Sequence, residues 1–151
     1  MTESLKVCHI VNSLEVGGLE TLVLQMAKRA GSTADIVSLS VDNPLAERSG
    51  CGGLQILSFD AASRWTAGGT IVDLARCLRR RRPHLVHLHN FSPQFYGVPA
   101  ARLAGVPVVV STKHGRACPC VRGSHRLAGC FYRLSDVIVA VGEDVRREMM
   151  N

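Results

Sequence analysis

The amino-acid sequence predicts an α/β domain: a doubly wound, mainly parallel sheet of about six strands with helices on both faces. Two observations carry this. Six short runs rich in Val, Ile and Leu recur between turn-forming residues, and most of the stretches separating them place apolar residues at the three- and four-residue spacing of a helix. Strands that are apolar almost without interruption are buried on both faces, and in an alternating strand and helix order this means parallel pairing through helical crossovers. The 151 residues make about one domain, long enough for one substantial core.

The first strand is expected at Leu5 to Val11. It runs through Asn12 to Val16 into Gly17 and Gly18, after which Leu19, Leu22, Val23, Met26, Ala27 and Ala30 form one helical face, ended by Gly31. Asp35 to Ser40 and Leu54 to Phe59 supply the second and third strands. Between them, Asp42 to Gly53 is rich in turn formers and has room only for a short helix around Leu45 to Arg48. A helix over Gly69 to Arg82 leads to a fourth strand at Leu85 to Leu88. One over Phe95 to Ala104 leads to a fifth at Val106 to Ser111, and one over His125 to Leu134 to a sixth at Val137 to Val141. A last helix begins near Glu143.

The net charge of +6 favours anionic partners such as nucleotides or phospholipid headgroups. The densest basic run, Arg79 to Arg82, falls at the end of a predicted helix, where cations complement the negative end of the helix dipole; the other reading is a peripheral contact with an anionic membrane or a polyanion. Aromatic residues are 5% of the chain and none interleaves with this run, so the stacking platforms of nucleic-acid binders are missing and no nucleic-acid partner is expected. No run is long and apolar enough to span a bilayer, and the N-terminus has no basic region followed by a long apolar segment. The chain is therefore expected in the cytoplasm, with the inner membrane face as the alternative, and its six cysteines as reduced thiols, Cys8 and Cys77 in the core.

In open parallel sheets ligands sit outside the carboxyl ends of the strands, which directs attention to Asn12 to Gly18, His89 to Ser92, Thr112 to Arg116 and Gly142 to Asp144. Gly17 and Gly18 read in two ways: as tight-turn chemistry, or as a loop where the backbone and the free N–H groups of a helix N-terminus approach a phosphate. His114 ends an apolar strand before a glycine, where an imidazole can donate to a sugar hydroxyl or turn cationic near phosphate. His87 and His89 are expected on opposite faces of the fourth strand, one under a helix and His89 toward the cleft. The run His114, Cys118, Cys120, His125 and Cys130 invites a zinc reading, but it lacks paired knuckles of the usual spacing and no metal is expected. Paired hydrolase carboxylates and a G-x-S-x-G elbow are absent.

Four segments, VCHIVNSLEVGGLETLVLQMAKRA, RPHLVHLHN, AARLAGVPVVVSTKHG and LSDVIVAVGEDVRREM, in that order and spacing, resemble the N-terminal domain of family 4 glycosyltransferases of the GT-B architecture. The resemblance covers nearly the whole chain and implies a Rossmann-like acceptor-side domain. It further implies a retaining hexosyl transfer from a nucleotide-sugar donor to a sugar or lipid-linked acceptor, without metal or other cofactor. On the matching positions it implies that Gly17 and Gly18 approach the donor diphosphate, that His114 is the active-site histidine beside the transferred sugar, and that Glu15, His89, Asn90, Lys113, Arg116 and Glu143 line the cleft. Gly142 departs from the family's serine. The sequence stops at Asn151, before the family's C-terminal, nucleotide-sugar-binding domain. Residues 1–151 are thus expected to hold the donor weakly and to be inactive alone, unless a partner chain supplies that half. The alternative is a non-catalytic module that uses its basic face.

Overall fold

Six parallel strands lie side by side in the order β3-β2-β1-β4-β5-β6. The computed structural model describes residues 4–48, 55–60, 67–115 and 130–150. The strands are β1 (Val7–Val11), β2 (Ala34–Ser38), β3 (Gln55–Ser58), β4 (Leu85–His89), β5 (Val108–Lys113) and β6 (Val137–Ala140). The helices are α1 (Gly18–Ala30), α2 (Pro44–Arg48), α3 (Ala67–Arg81), α4 (Phe91–Ala104) and α5 (Glu143–Met150), with a 3-10 turn at Gly31–Thr33. This is the doubly wound α/β sheet the alternating pattern predicts. The strand order reverses between β1 and β4, the switch point outside whose carboxyl edge ligands sit in open α/β sheets.

Among the described residues two buried clusters hold the layers together. On one face Val11 and Ile36 pack against Val23, Leu24 and Ala27 of α1. On the other, Cys8, Ile10, Val86, Leu88 and Val109 pack against Leu74 and Leu78 of α3 and Val98 and Ala101 of α4. Gly97 lets α4 lie against the sheet: a Cβ there would run into Leu88 Cδ2 and come within 3.4 Å of Ile10 Cδ1. α1 ends as expected at Gly31, whose φ of 62° only glycine adopts easily and whose N–H bonds Ala27 and Lys28 carbonyls.

Several boundaries differ from expectation at the carboxyl edge. α4 begins at Phe91, four residues before the predicted start, because Pro93 lies in the first turn, where a missing N–H removes no helical bond. β5 runs to Lys113 and β4 includes His89, so Thr112, Lys113 and His89 belong to strands rather than to the loops beyond. The predicted helix over His125 to Leu134 lies mostly outside the described residues; 130–133 is helical.

The arginines that close α3 are engaged within the molecule. Arg81 Nη1 meets Asp35 Oδ2 at 3.3 Å and donates to Gln55, Arg79 donates to the Leu103 carbonyl, and Arg80 to that of Arg76. This supports the helix-end reading of the basic run. Cys8, Cys77 and Cys130 are free thiols; Cys8 is buried, as expected, and Cys77 half-buried.

Candidate functional site

Histidines cluster on the strands that flank the β1/β4 switch. His9 and His87 are register partners on the adjacent strands β1 and β4, and so project side by side. His89 lies two residues beyond His87. Positions two apart in a strand share a face, which corrects the expectation that His87 and His89 diverge: their ring centroids are 4.1 Å apart. His9 lies 5.3 Å from the His87 ring and 5.5 Å from the His89 ring. All three occupy the α1 side of the sheet, since His9 shares a face with Val11, two residues on, which packs against α1.

His114 completes the row from the end of β5. Its Nε2 lies 3.0 Å from His89 Nδ1, and His89 Nε2 lies 3.2 Å from His9 Nδ1. Asn90 fixes this arrangement: its Oδ1 accepts from the His114 backbone N–H at 2.9 Å, and its own N–H donates to the Thr112 carbonyl at 2.8 Å. Asn90 does so at φ 69° and ψ −176°, a region occupied almost only by glycine. Held strain of about 1–3 kcal/mol at such a residue marks a constrained site. Thr112 Oγ1 meets His87 Nε2 at 2.7 Å. Asn90, expected as a cleft residue, is thus the brace that positions His114.

The hydrogen-bond inventory restricts the protons. A neutral imidazole carries one N–H and one lone pair, so His89, bonded at both nitrogens, must donate to one neighbour and accept from the other. The row therefore has two senses. If His89 donates from Nδ1 to His114, the proton of His114 stays on Nδ1, which becomes a donor for a ligand. If His114 donates from Nε2, its Nδ1 is an acceptor. Burial keeps the rings neutral: it lowers the pKa of His9 to about 4, and repulsion from His87 adds to the effect. Burial likewise lowers His87 to about 4, with His114 adding to the shift, and His89 is depressed still more, by burial and then by the other three rings. His114 is lowered by burial, with the Glu20 carboxylate pulling the other way.

Through Glu20 the first turn of α1 acts electrostatically on His114. Gly17 caps α1 in extended backbone at φ −157°, so no left-handed conformation requires a glycine there. What occupies the space is Glu20, whose carboxylate lies where a Gly17 Cβ would stand. Gly18 is different: a Cβ there meets nothing within 4 Å, so the fold leaves open space above the first helical residue. Asn43 anchors the loop leading into this turn, accepting from the Leu14 N–H at 3.0 Å while its amide donates to Ser58 Oγ at 2.9 Å.

The other expected residues do not converge with these. Lys113 alternates with Thr112 and so faces away from the histidines, pairing with Glu148 of α5 at 3.0 Å. Glu143 is taken up by a two-oxygen contact with Arg146 and a further one with Arg147, which hold its carboxyl below the usual range. Glu15 is exposed on the loop before Gly17. Arg116 lies outside the described residues, as do Cys118, Cys120 and His125 of the zinc reading. His9 and Glu20 were not singled out from the sequence, and Thr112 only as the start of the stretch after the fifth strand. Alternation inside a strand could have paired His87 with His89; only the β1/β4 register adds His9.

The parallel, doubly wound sheet defines the fold, the Rossmann-like half of the GT-B architecture. The glycosyltransferase family 4 model matches residues 16–151, and the chain belongs to that family. No curated protein matches it. Among solved structures, Anabaena HepE in complex with UDP and glucose superposes with a TM-score of 0.78 at 15% identity, over 97% of this chain and 40% of that one. The lipopolysaccharide outer core galactosyltransferase WaaB in its apo form gives 0.73 at 12% identity, over 97% and 42%. UDP-N-acetylglucosamine 2-epimerase from Rickettsia bellii gives 0.69 at 18%, over 98% and 42%. The chain thus spans about two fifths of these structures, and fold alone, shared with an epimerase, does not choose the reaction. Among the described residues no helix is long and apolar enough to cross a membrane.

Proposed function

We propose that residues 1–151 form the acceptor-side domain of a retaining glycosyltransferase that moves a hexosyl group from a nucleotide-sugar to a sugar or lipid-linked acceptor. One observation carries the reading: in a chain of family 4, the open turn at Gly18 follows β1, His114 follows β5, and the Glu20 carboxylate in the first turn of α1 acts electrostatically on His114. The unpaired N–H groups of the first turn of α1 receive the donor diphosphate, and Gly18 leaves room for it. His114 Nδ1 hydrogen-bonds the transferred sugar, with its sense set by His89. That HepE was solved with UDP and with UDP-glucose makes UDP-glucose the first donor to test.

Transfer also requires charge stabilisation on the departing diphosphate, usually a dominant catalytic contribution. Residues 1–151 match about 40% of HepE, and in our reading the nucleotide-holding domain lies in the part they do not match, supplied by further sequence or by a partner chain. The isolated 151 residues then bind donor weakly and transfer little or no sugar. The test is a fusion to the nucleotide-binding domain of a family relative, assayed for glucose release from UDP-glucose to an acceptor panel and to water. Activity that falls about 100-fold in His114→Ala supports the proposal. A folded fusion that binds UDP yet releases no glucose to any acceptor or to water contradicts it.

A further inference from the structure

The geometry points to a second capacity, independent of sugar transfer: His9, His87 and His89 form a three-imidazole site for a divalent transition-metal ion of the zinc class. One ligating nitrogen from each ring lies within 4.8 Å of the other two. Three histidines with an open fourth position are the ligand set of zinc in carbonic anhydrase. Around an ion bound at about 2.0–2.1 Å such nitrogens stand about 3.3 Å apart, and His9 Nδ1 and His89 Nε2 are already 3.2 Å apart. The frame is rigid, because two ligands share strand β4 and the third is the register partner of one of them on β1. Burial keeps the rings neutral, so their lone pairs are available, while His87 is only half-buried and gives an ion a way in.

The outer contacts suit the same ion. Ligating histidines ordinarily donate their second N–H to a fixed partner. With His89 ligating through Nε2, its Nδ1–H donates to His114 Nε2 at 3.0 Å. With His87 ligating through Nδ1, its Nε2–H donates to Thr112 Oγ1 at 2.7 Å. Binding replaces the His9 to His89 hydrogen bond by two metal bonds and fixes the row in the sense that leaves the His114 proton on Nδ1. The all-nitrogen set selects zinc, cobalt, nickel or copper over magnesium and calcium, which prefer oxygen.

The test is titration of the untagged chain with Co2+ alone, read by visible absorption, followed by displacement with Zn2+. A ligand-field band of a four-coordinate ion without thiolate-to-cobalt charge transfer, displaced by Zn2+ and unmoved by excess Mg2+, is the expected result. His87→Ala should weaken Co2+ about 100-fold or more and Thr112→Val about 10-fold, whereas Cys118→Ser with Cys120→Ser should leave the spectrum unchanged. Thiolate charge transfer, or no cobalt band at a folded chain, overturns the assignment. Both readings come from the unmutated protein, so they decide the question even where a variant fails to fold.

Discussion

Acid should loosen this domain through its histidines, and the size of the effect follows from their burial. His9 and His87 titrate at about 4 in the folded chain, against an ordinary 6.5. Between these values the unfolded chain binds protons that the folded chain refuses. The stability these neutral rings confer is complete above pH 6.5 and is lost as the pH falls toward 4. At pH 5 each ring costs about 2 kcal/mol, so the pair costs about 4 kcal/mol against the 5–15 kcal/mol total of an ordinary domain. His89 and His114 are shifted in the same direction and add to the loss. Asp136 and Glu143, whose carboxyls are held low mainly by Arg102 and Arg146, titrate below this window. The assay is urea unfolding followed by far-ultraviolet circular dichroism at pH 7, 6 and 5, with a chelator present. His87→Gln removes one ring and relieves the repulsion on His9 and His89, so its loss between pH 7 and 5 should be smaller by at least about 2 kcal/mol. A stability independent of pH over this range, or a variant that falls as steeply as the wild type, would refute the reasoning.

Four further substitutions separate positioning from packing. Asn90→Ala keeps the strained backbone and loses the bond to the His114 N–H, and should lower stability by about 1–3 kcal/mol in denaturant titration. Asn90→Gly removes the strain, so it should stay within about 1 kcal/mol of wild type while still shifting the His114 amide resonance. Glu20→Gln takes away the charge that supports protonation of His114, and an NMR titration should place the His114 pKa lower than in the wild type. Gly97→Val drives a side chain into Leu88 and Ile10 and should cost about 1–3 kcal/mol, seen as a lower unfolding midpoint.

The strand and helix alternation was legible because buried parallel strands leave unbroken apolar runs, and Gly31 and the short helix near Leu45 were legible from turn chemistry. The start of α4 was not, since Ser92 and Pro93 look like a loop until the helix geometry shows that a proline in the first turn breaks no bond. The positions of Gly18 at the loop-to-helix turn and of His114 just past β5 were legible from the glycine pair and the end of an apolar run. The role of Asn90 could not, because it depends on a bond to a backbone 24 residues away. His9 was invisible for the same reason: a lone histidine in an apolar strand carries no signal until the register sets it beside His87. Lys113 and Glu143 looked available in sequence, whereas partners on α5 already hold both.

The most direct test of the account is an amide NMR titration of the 151-residue chain with UDP-glucose, run in parallel on Gly18→Val. A Cβ added at Gly18 meets nothing within 4 Å, so the variant should fold and, without ligand, keep the wild-type spectrum away from position 18. The account predicts shifts at Gly17, Gly18, Asn90 and His114 in the wild type and their absence in the variant. A folded wild-type chain with no shifts there, or a variant that binds as well as wild type, would contradict it.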